Sequence, residues 1–99
     1  MVRAIAGFDW DAGNSAKRRK HGVSIWEVEE LFEGSPQVSP DIEHSANEDR
    51  LLAVGRTATG RALFVVFMIR MVDGTFRIRP ISARYMHGKE IDAYEKESP

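Results

Sequence analysis

Ninety-nine residues with a formal net charge of −1 are enough for one domain, residues 1–99, built around one modest core. The absence of cysteine excludes a disulfide framework and a thiolate metal site, and the longest apolar run, Ala62 to Ile69, is too short to cross a bilayer. The near-neutral total conceals a split, because from Arg50 to Lys89 eight Lys/Arg stand against the single acid Asp73, a local +7, while the remainder of the chain carries −8.

The N-terminal MVRAIAGF is too short and too weakly apolar for a signal peptide, so a cytoplasmic chain is expected. Ile5 to Trp10 reads as a first strand. Asp11-Ala12-Gly13-Asn14 is turn chemistry in which Asp11 or Asn14 can cap a short helix, Ser15 to His21. Gly22 stops that helix in the left-handed conformation, and Lys20 and His21 fall in the last turn, where the dipole favours cations. Ser24-Ile25-Trp26-Glu27 is a capping box, with Val23 and Val28 placed as a hydrophobic staple. Ile25, Val28, Leu31 and Phe32 form the buried stripe of a second helix that ends at Gly34. Gln37 to Ser39 can form a short strand, followed by a polar loop from Pro40 to Asp49 that contains His44.

Three strands follow. Leu51 to Arg56 and the core strand Arg61 to Val72 are joined by Thr57-Ala58-Thr59-Gly60, and Asp73-Gly74 is a hairpin turn signal leading into Thr75 to Arg84. In this last strand the apolar phase changes after Pro80. A bulge there reconciles both halves and aligns Arg77, Arg79, Ser82 and Arg84 on one face. Lys89 to Glu97 forms a final polar helix with contacts at Ile91 and Tyr94. The order predicts an α+β fold, a small antiparallel sheet with its helices packed on one face. The basic strands on the other face suit a polyanion, or else their arginines pair with the acidic half of the chain.

Phe8-Asp9-Trp10-Asp11, Lys20-His21-Gly22-Val23-Ser24, Glu48-Asp49-Arg50, Ala53-Val54-Gly55-Arg56-Thr57, the run Leu63 to Phe67, and Ile81-Ser82-Ala83-Arg84 occur in this order. Together, from Phe8 to about Tyr94, they resemble the BrnT family of small toxins. The resemblance implies a RelE-like fold, ribonuclease activity that inhibits translation, and neutralisation by a BrnA-type antitoxin, itself the DNA-binding member of the pair. Relatives usually carry Asn in place of Arg18. They often have an acid in place of Tyr85, a β-branched residue in place of Pro80, and Arg or Lys in place of Gly88 and Ile91. The last two departures, at Gly88 and Ile91, thin the basic character of the final helix.

RNA cleavage without metal needs a base for the 2′-OH, an acid for the leaving 5′-oxygen and fixed cations for the phosphate. His21 is the first acid/base candidate because histidine titrates near neutrality, and its structural alternative is a helix-end residue. His44 and His87 rank behind it. Arg50, Arg79 and Arg84 are the first choices for the phosphate, since a guanidinium fork binds it in two places. Lys17, Lys20 and Arg77 extend the RNA-binding surface, and Tyr85 can stack on a base. Glu48 and Asp49 are either arginine-orienting groups or loop charges. No H-x-x-x-H, H-E-x-x-H, phosphate loop or dinucleotide fingerprint occurs, so neither a metal nor a cofactor is expected. The rival readings are a non-catalytic RNA- or partner-binding module, such as a co-repressor, and a protein–protein adaptor.

Overall fold

The computed structural model describes residues 5–41 and 49–97. His44 and Glu48 lie outside the described residues. Along the chain run β1 (Ile5–Phe8), α1 (Ala12–Lys20), α2 (Ile25–Glu33), β2 (Gln37–Pro40), β3 (Leu51–Arg56), β4 (Ala62–Val72), β5 (Thr75–Tyr85) and α3 (Gly88–Glu97).

Local chemistry sets the boundaries. α1 begins at Ala12, earlier than the sequence suggests, because Asp11 and Asn14 together form a capping box: Asn14 N donates to Asp11 Oδ1 at 3.0 Å and Asp11 N to Asn14 Oδ1 at 2.7 Å. The helix ends in a Schellman motif, with Gly22 at φ +77° and the N–H groups of Gly22 and Val23 donating to the carbonyls of Arg19 and Arg18. The expected box at Ser24 and Glu27 caps α2. Asp73 and Gly74, at φ 51° and 79°, make the two-residue turn of the β4–β5 hairpin, whose primed geometry requires positive φ at both positions.

The strands form one sheet in the order β1-β5-β4-β3-β2. It is mixed rather than antiparallel. β1 lies parallel to β5, with Ile5 opposite Phe76 and Phe8 opposite Ile78, because α1 and the later strands carry the chain across before β5 returns beside it. β1 stops at Phe8 rather than Trp10, although Asp9 N still donates to Ile78 O at 2.8 Å. β2 reaches Pro40 and ends the sheet on that side, an edge where a residue lacking N–H is tolerated. The bulge expected near Pro80 is present: Phe67 faces Pro80 and Val66 faces Ser82, leaving Ile81 as the extra residue.

One face of the sheet is the core. Val23, Val28 and Leu31 pack there with Ala53, Leu63, Val65, Phe67, Ile78 and Ala83, and Phe32 stands edge-on to Phe8 and Phe67 at ring distances of 5.8 and 4.9 Å. Val23 and Val28, the predicted staple, are both fully buried. Beyond the cover of α2, Ile69, Met71 and Phe76 continue this apolar face along the hairpin and remain exposed. The opposite face carries Phe64, Val66, Met68 and Arg70 of β4, paired with Arg84, Ser82, Arg79 and Arg77 of β5. The helices are not confined to the core face. Glu90 and Glu95 of α3 reach Arg84 and Arg56, whose positions alternate with buried Ala83 and Gly55, so α3 is tied to the arginine face by its acids.

Asn14 is buried and uses its whole amide: Oδ1 accepts from Asp11 N, and Nδ2 donates to Asp9 O and Pro80 O, both at 2.9 Å. Asn14→Ala is predicted to lower unfolding free energy by about 3 kcal/mol, because it strands several groups away from water. Urea denaturation checks this, and a loss within experimental error would remove Asn14 from the structural role given to it.

Candidate functional site

β5 supplies the row that the sequence predicts. Residues two apart on a strand stand on one face about 7 Å from each other, and the bulge at Ile81 keeps Ser82 and Arg84 in phase with Arg77 and Arg79. The cations of this row are engaged with neighbouring groups. Arg77 is half-buried, its Nε 3.4 Å from Thr75 Oγ1.

Arg79 sits in a pocket of charge made by the turn between β1 and α1. Its Nη2 donates to Asp11 Oδ2 at 2.6 Å and its Nη1 to Asp9 Oδ2 at 3.3 Å, while Arg70 Nη1 approaches the same Asp9 oxygen at 3.4 Å. The capping role of Asp11 therefore doubles as a cation site. The Asn14 N–H and the Arg79 guanidinium together hold the Asp11 carboxyl below its ordinary range, and the hydrogen bond to Asp11 raises the Arg79 pKa further.

Arg84 lies over the Phe64 ring, 4.4 Å from its centroid, and grips Glu90 with both ends of its fork at 2.8 and 2.7 Å. Glu90 Oε1 also accepts the backbone N–H of His87 at 2.8 Å, capping the first turn of α3. Hydrogen bonding to Arg84, then to His87 N–H, lowers the Glu90 carboxyl from 4.5 to about 2. Arg56 and Glu95 form a second ion pair between the sheet and α3.

A third group gathers where β5 ends against the α1–α2 junction. The Tyr85 hydroxyl donates to Glu27 Oε1 at 2.8 Å and lies 3.2 Å from Gly22 O, and the Arg61 guanidinium stacks 3.9 Å above the ring. Burial pushes the Tyr85 hydroxyl up, and its bond to Glu27 adds to that. Burial alone would raise Glu27, but hydrogen bonds from Ser24 N–H, Tyr85 OH and Ser24 OH outweigh it and hold the carboxyl low.

His21 is exposed at the end of α1, where its backbone N–H caps the carbonyls of Arg18 and Arg19. It stands beside Gly22 on the Tyr85 side, outside the ion pairs of Arg79 and Arg84. Lys17 and Lys20 belong to α1. Arg50 precedes β3, its carbonyl accepting from Asp41 N at 2.9 Å. Arg18 donates to Val23 O at 2.7 Å and lies 5.8 Å from the Trp10 ring centroid.

Sequence reasoning missed Asp9, Asp11, Glu90 and Glu95 as arginine partners. The signal for Glu90 is the three-residue spacing of Arg84, His87 and Glu90 across a strand end and the first turn of a helix. Among the described residues no group of three or more His, Asp or Glu could hold a metal ion, and no helix is long and apolar enough to cross a membrane.

The sequence model of the family described as ribonuclease toxin, BrnT, of type II toxin–antitoxin systems matches residues 10–90. No curated protein matches the chain.

The Glu90 carboxyl generates a pH prediction. Its pKa is depressed in the folded chain, so the stability it contributes is present above 4.5 and is lost as pH falls from there through about 2. Amide shifts of α3 followed by NMR should change with a midpoint near pH 2, and in Arg84→Ala the midpoint should move up towards the ordinary carboxylate range. A midpoint that Arg84→Ala leaves in place would refute the assignment.

Proposed function

Because the chain belongs to the BrnT family of ribonuclease toxins of type II toxin–antitoxin systems, we propose that it is a RelE-like, metal-independent endoribonuclease. It cuts RNA, inhibits translation and is neutralised by a BrnA-type antitoxin, through which alone it meets DNA. The observation that carries this reading is the family match over residues 10–90, and the run of cationic side chains on one face of β5 supports it.

In this mechanism a base removes the 2′-OH proton, the oxygen attacks the adjacent phosphate, and an acid protonates the departing 5′-oxygen. Arg50, Arg79 and Arg84 stabilise the charge that builds on the phosphate. His21 is the acid/base group, exposed and therefore accessible to a long polymer. Lys17, Lys20 and Arg77 hold the strand, and Tyr85 stacks on a base once Arg61, which lies over its ring in the free chain, gives way. The carboxylates already bonded to Arg70, Arg79 and Arg84 favour a second reading, in which this chain keeps the fold as a non-catalytic RNA- or partner-binding module.

Expression of the chain alone in bacteria separates the two. The toxin reading predicts arrested growth and fragmented RNA, both abolished in a folded Arg79→Ala/Arg84→Ala variant and reduced at least tenfold by His21→Ala. Full activity in His21→Ala would make that histidine structural. Normal growth with intact RNA on wild-type expression would overturn cleavage and leave the binding module.

A further inference from the structure

We propose that α3 is a carboxylate latch on the nucleic-acid site: Glu90 occupies the Arg84 guanidinium in place of a substrate phosphodiester, and RNA binding at Arg84 displaces it. The inference rests on the ribonuclease reading and adds how access to that site is controlled.

A guanidinium presents two parallel donors that match either a carboxylate or a phosphate. At Arg84 both are taken by Glu90, with oxygens 2.8 and 2.7 Å away, so one fork cannot hold both anions in this geometry. Arg84 is also anchored from below by Phe64 and half-buried, which keeps the fork in place when its partner leaves. Glu90 is two-thirds covered, with 30% of its side chain exposed, and solvent or a ligand can reach it.

The helix that carries Glu90 is attached in a way that permits exchange. Among the described residues α3 contributes none to the buried core cluster. Its entry is fixed by buried Met86, whose N–H donates to Ala62 O at 3.0 Å. Past that point the Arg84–Glu90 and Arg56–Glu95 ion pairs tie it to the sheet, and both partners of each pair are partly exposed, so a competing anion can reach them. A groove of about 390 Å³ separates α3 from the sheet, lined by Leu52, Val54, Phe64, Met86, Ala93 and Tyr94 among others. A groove thus runs between α3 and the arginine face, and acids of the helix sit on cations that RNA would use. The backbone N–H of His87, which caps onto Glu90, moves with it, so releasing the latch also frees the first turn.

The test uses the full chain and a 2′-O-methyl RNA oligonucleotide, which binds without being cut. Glu90→Gln keeps an oxygen for the His87 N–H and removes the competing charge. It should bind the oligonucleotide about tenfold more tightly than wild type, as expected for one recovered charge-assisted contact, and its slope of log affinity against log salt should be steeper by roughly 0.7. Glu90→Gln/Arg84→Ala should bind like Arg84→Ala. In the wild-type chain, saturation with the oligonucleotide should increase hydrogen exchange at the α3 amides, a readout that stands even where Glu90→Gln fails to fold. If the wild type binds, but a folded Glu90→Gln binds no more tightly or α3 exchange is unchanged, the latch is wrong and the ribonuclease reading survives. If no variant binds at low salt, both fall together.

Discussion

One buried amide holds the junction of β1, α1 and β5 in shape. β1 is only four residues long, and it gives out beside the point where β5 bulges at Ile81. A bulge leaves backbone groups without their ladder partners, and Pro80 has no N–H to offer. The Asn14 side chain fills the gap like an extra strand residue, bonding the carbonyls on both sides of it, Asp9 and Pro80. The same side chain fixes the start of α1 through Asp11. With that turn set, the Asp9 and Asp11 carboxylates meet Arg79, and Asp9 meets Arg70 as well. Aspartate could not replace Asn14, since it would supply two acceptors where two donors are needed.

The charge split along the sequence turns out to be a pairing pattern in space. The basic segment from Arg50 to Lys89 meets acids that come from before and after it: Asp9 and Asp11 near the start, Glu90 and Glu95 in the last helix. The surface is thus a mosaic of opposed charges in place of an open cationic strip. Such a surface favours a polyanion only to the extent that phosphates outcompete carboxylates already in position, so its affinity is tunable through the acids as much as through the arginines. Tyr85 follows the same logic. Its hydroxyl donates to Glu27 while Arg61 covers the ring.

Local chemistry was readable in advance, and long-range pairing was not. The Ser24–Glu27 box, the Gly22 stop, the Asp73-Gly74 turn and the bulge after Pro80 each follow from a few adjacent residues whose backbone preferences leave little choice. The bulge in turn placed Arg77, Arg79, Ser82 and Arg84 on one face correctly. The parallel seat of β1 was hidden because a four-residue strand carries no mark of its partner's direction. α3 on the arginine face was hidden because its apolar contacts are few and ion pairs decide its place. Asp11 was legible as a cap but not as the mate of a residue 68 positions away. The family resemblance carried the toxin assignment, which no single side-chain arrangement in the fold would have singled out.

The hairpin of β4 and β5 outruns the helix that covers it, leaving Ile69, Met71 and Phe76 in contact with water. In a chain with a sequence pI of about 6.3, little net charge remains near neutrality to keep copies apart. Colloidal behaviour is therefore governed by that uncovered strip: solubility passes through a minimum at mildly acidic pH and recovers on the alkaline side, where the acids outnumber the bases.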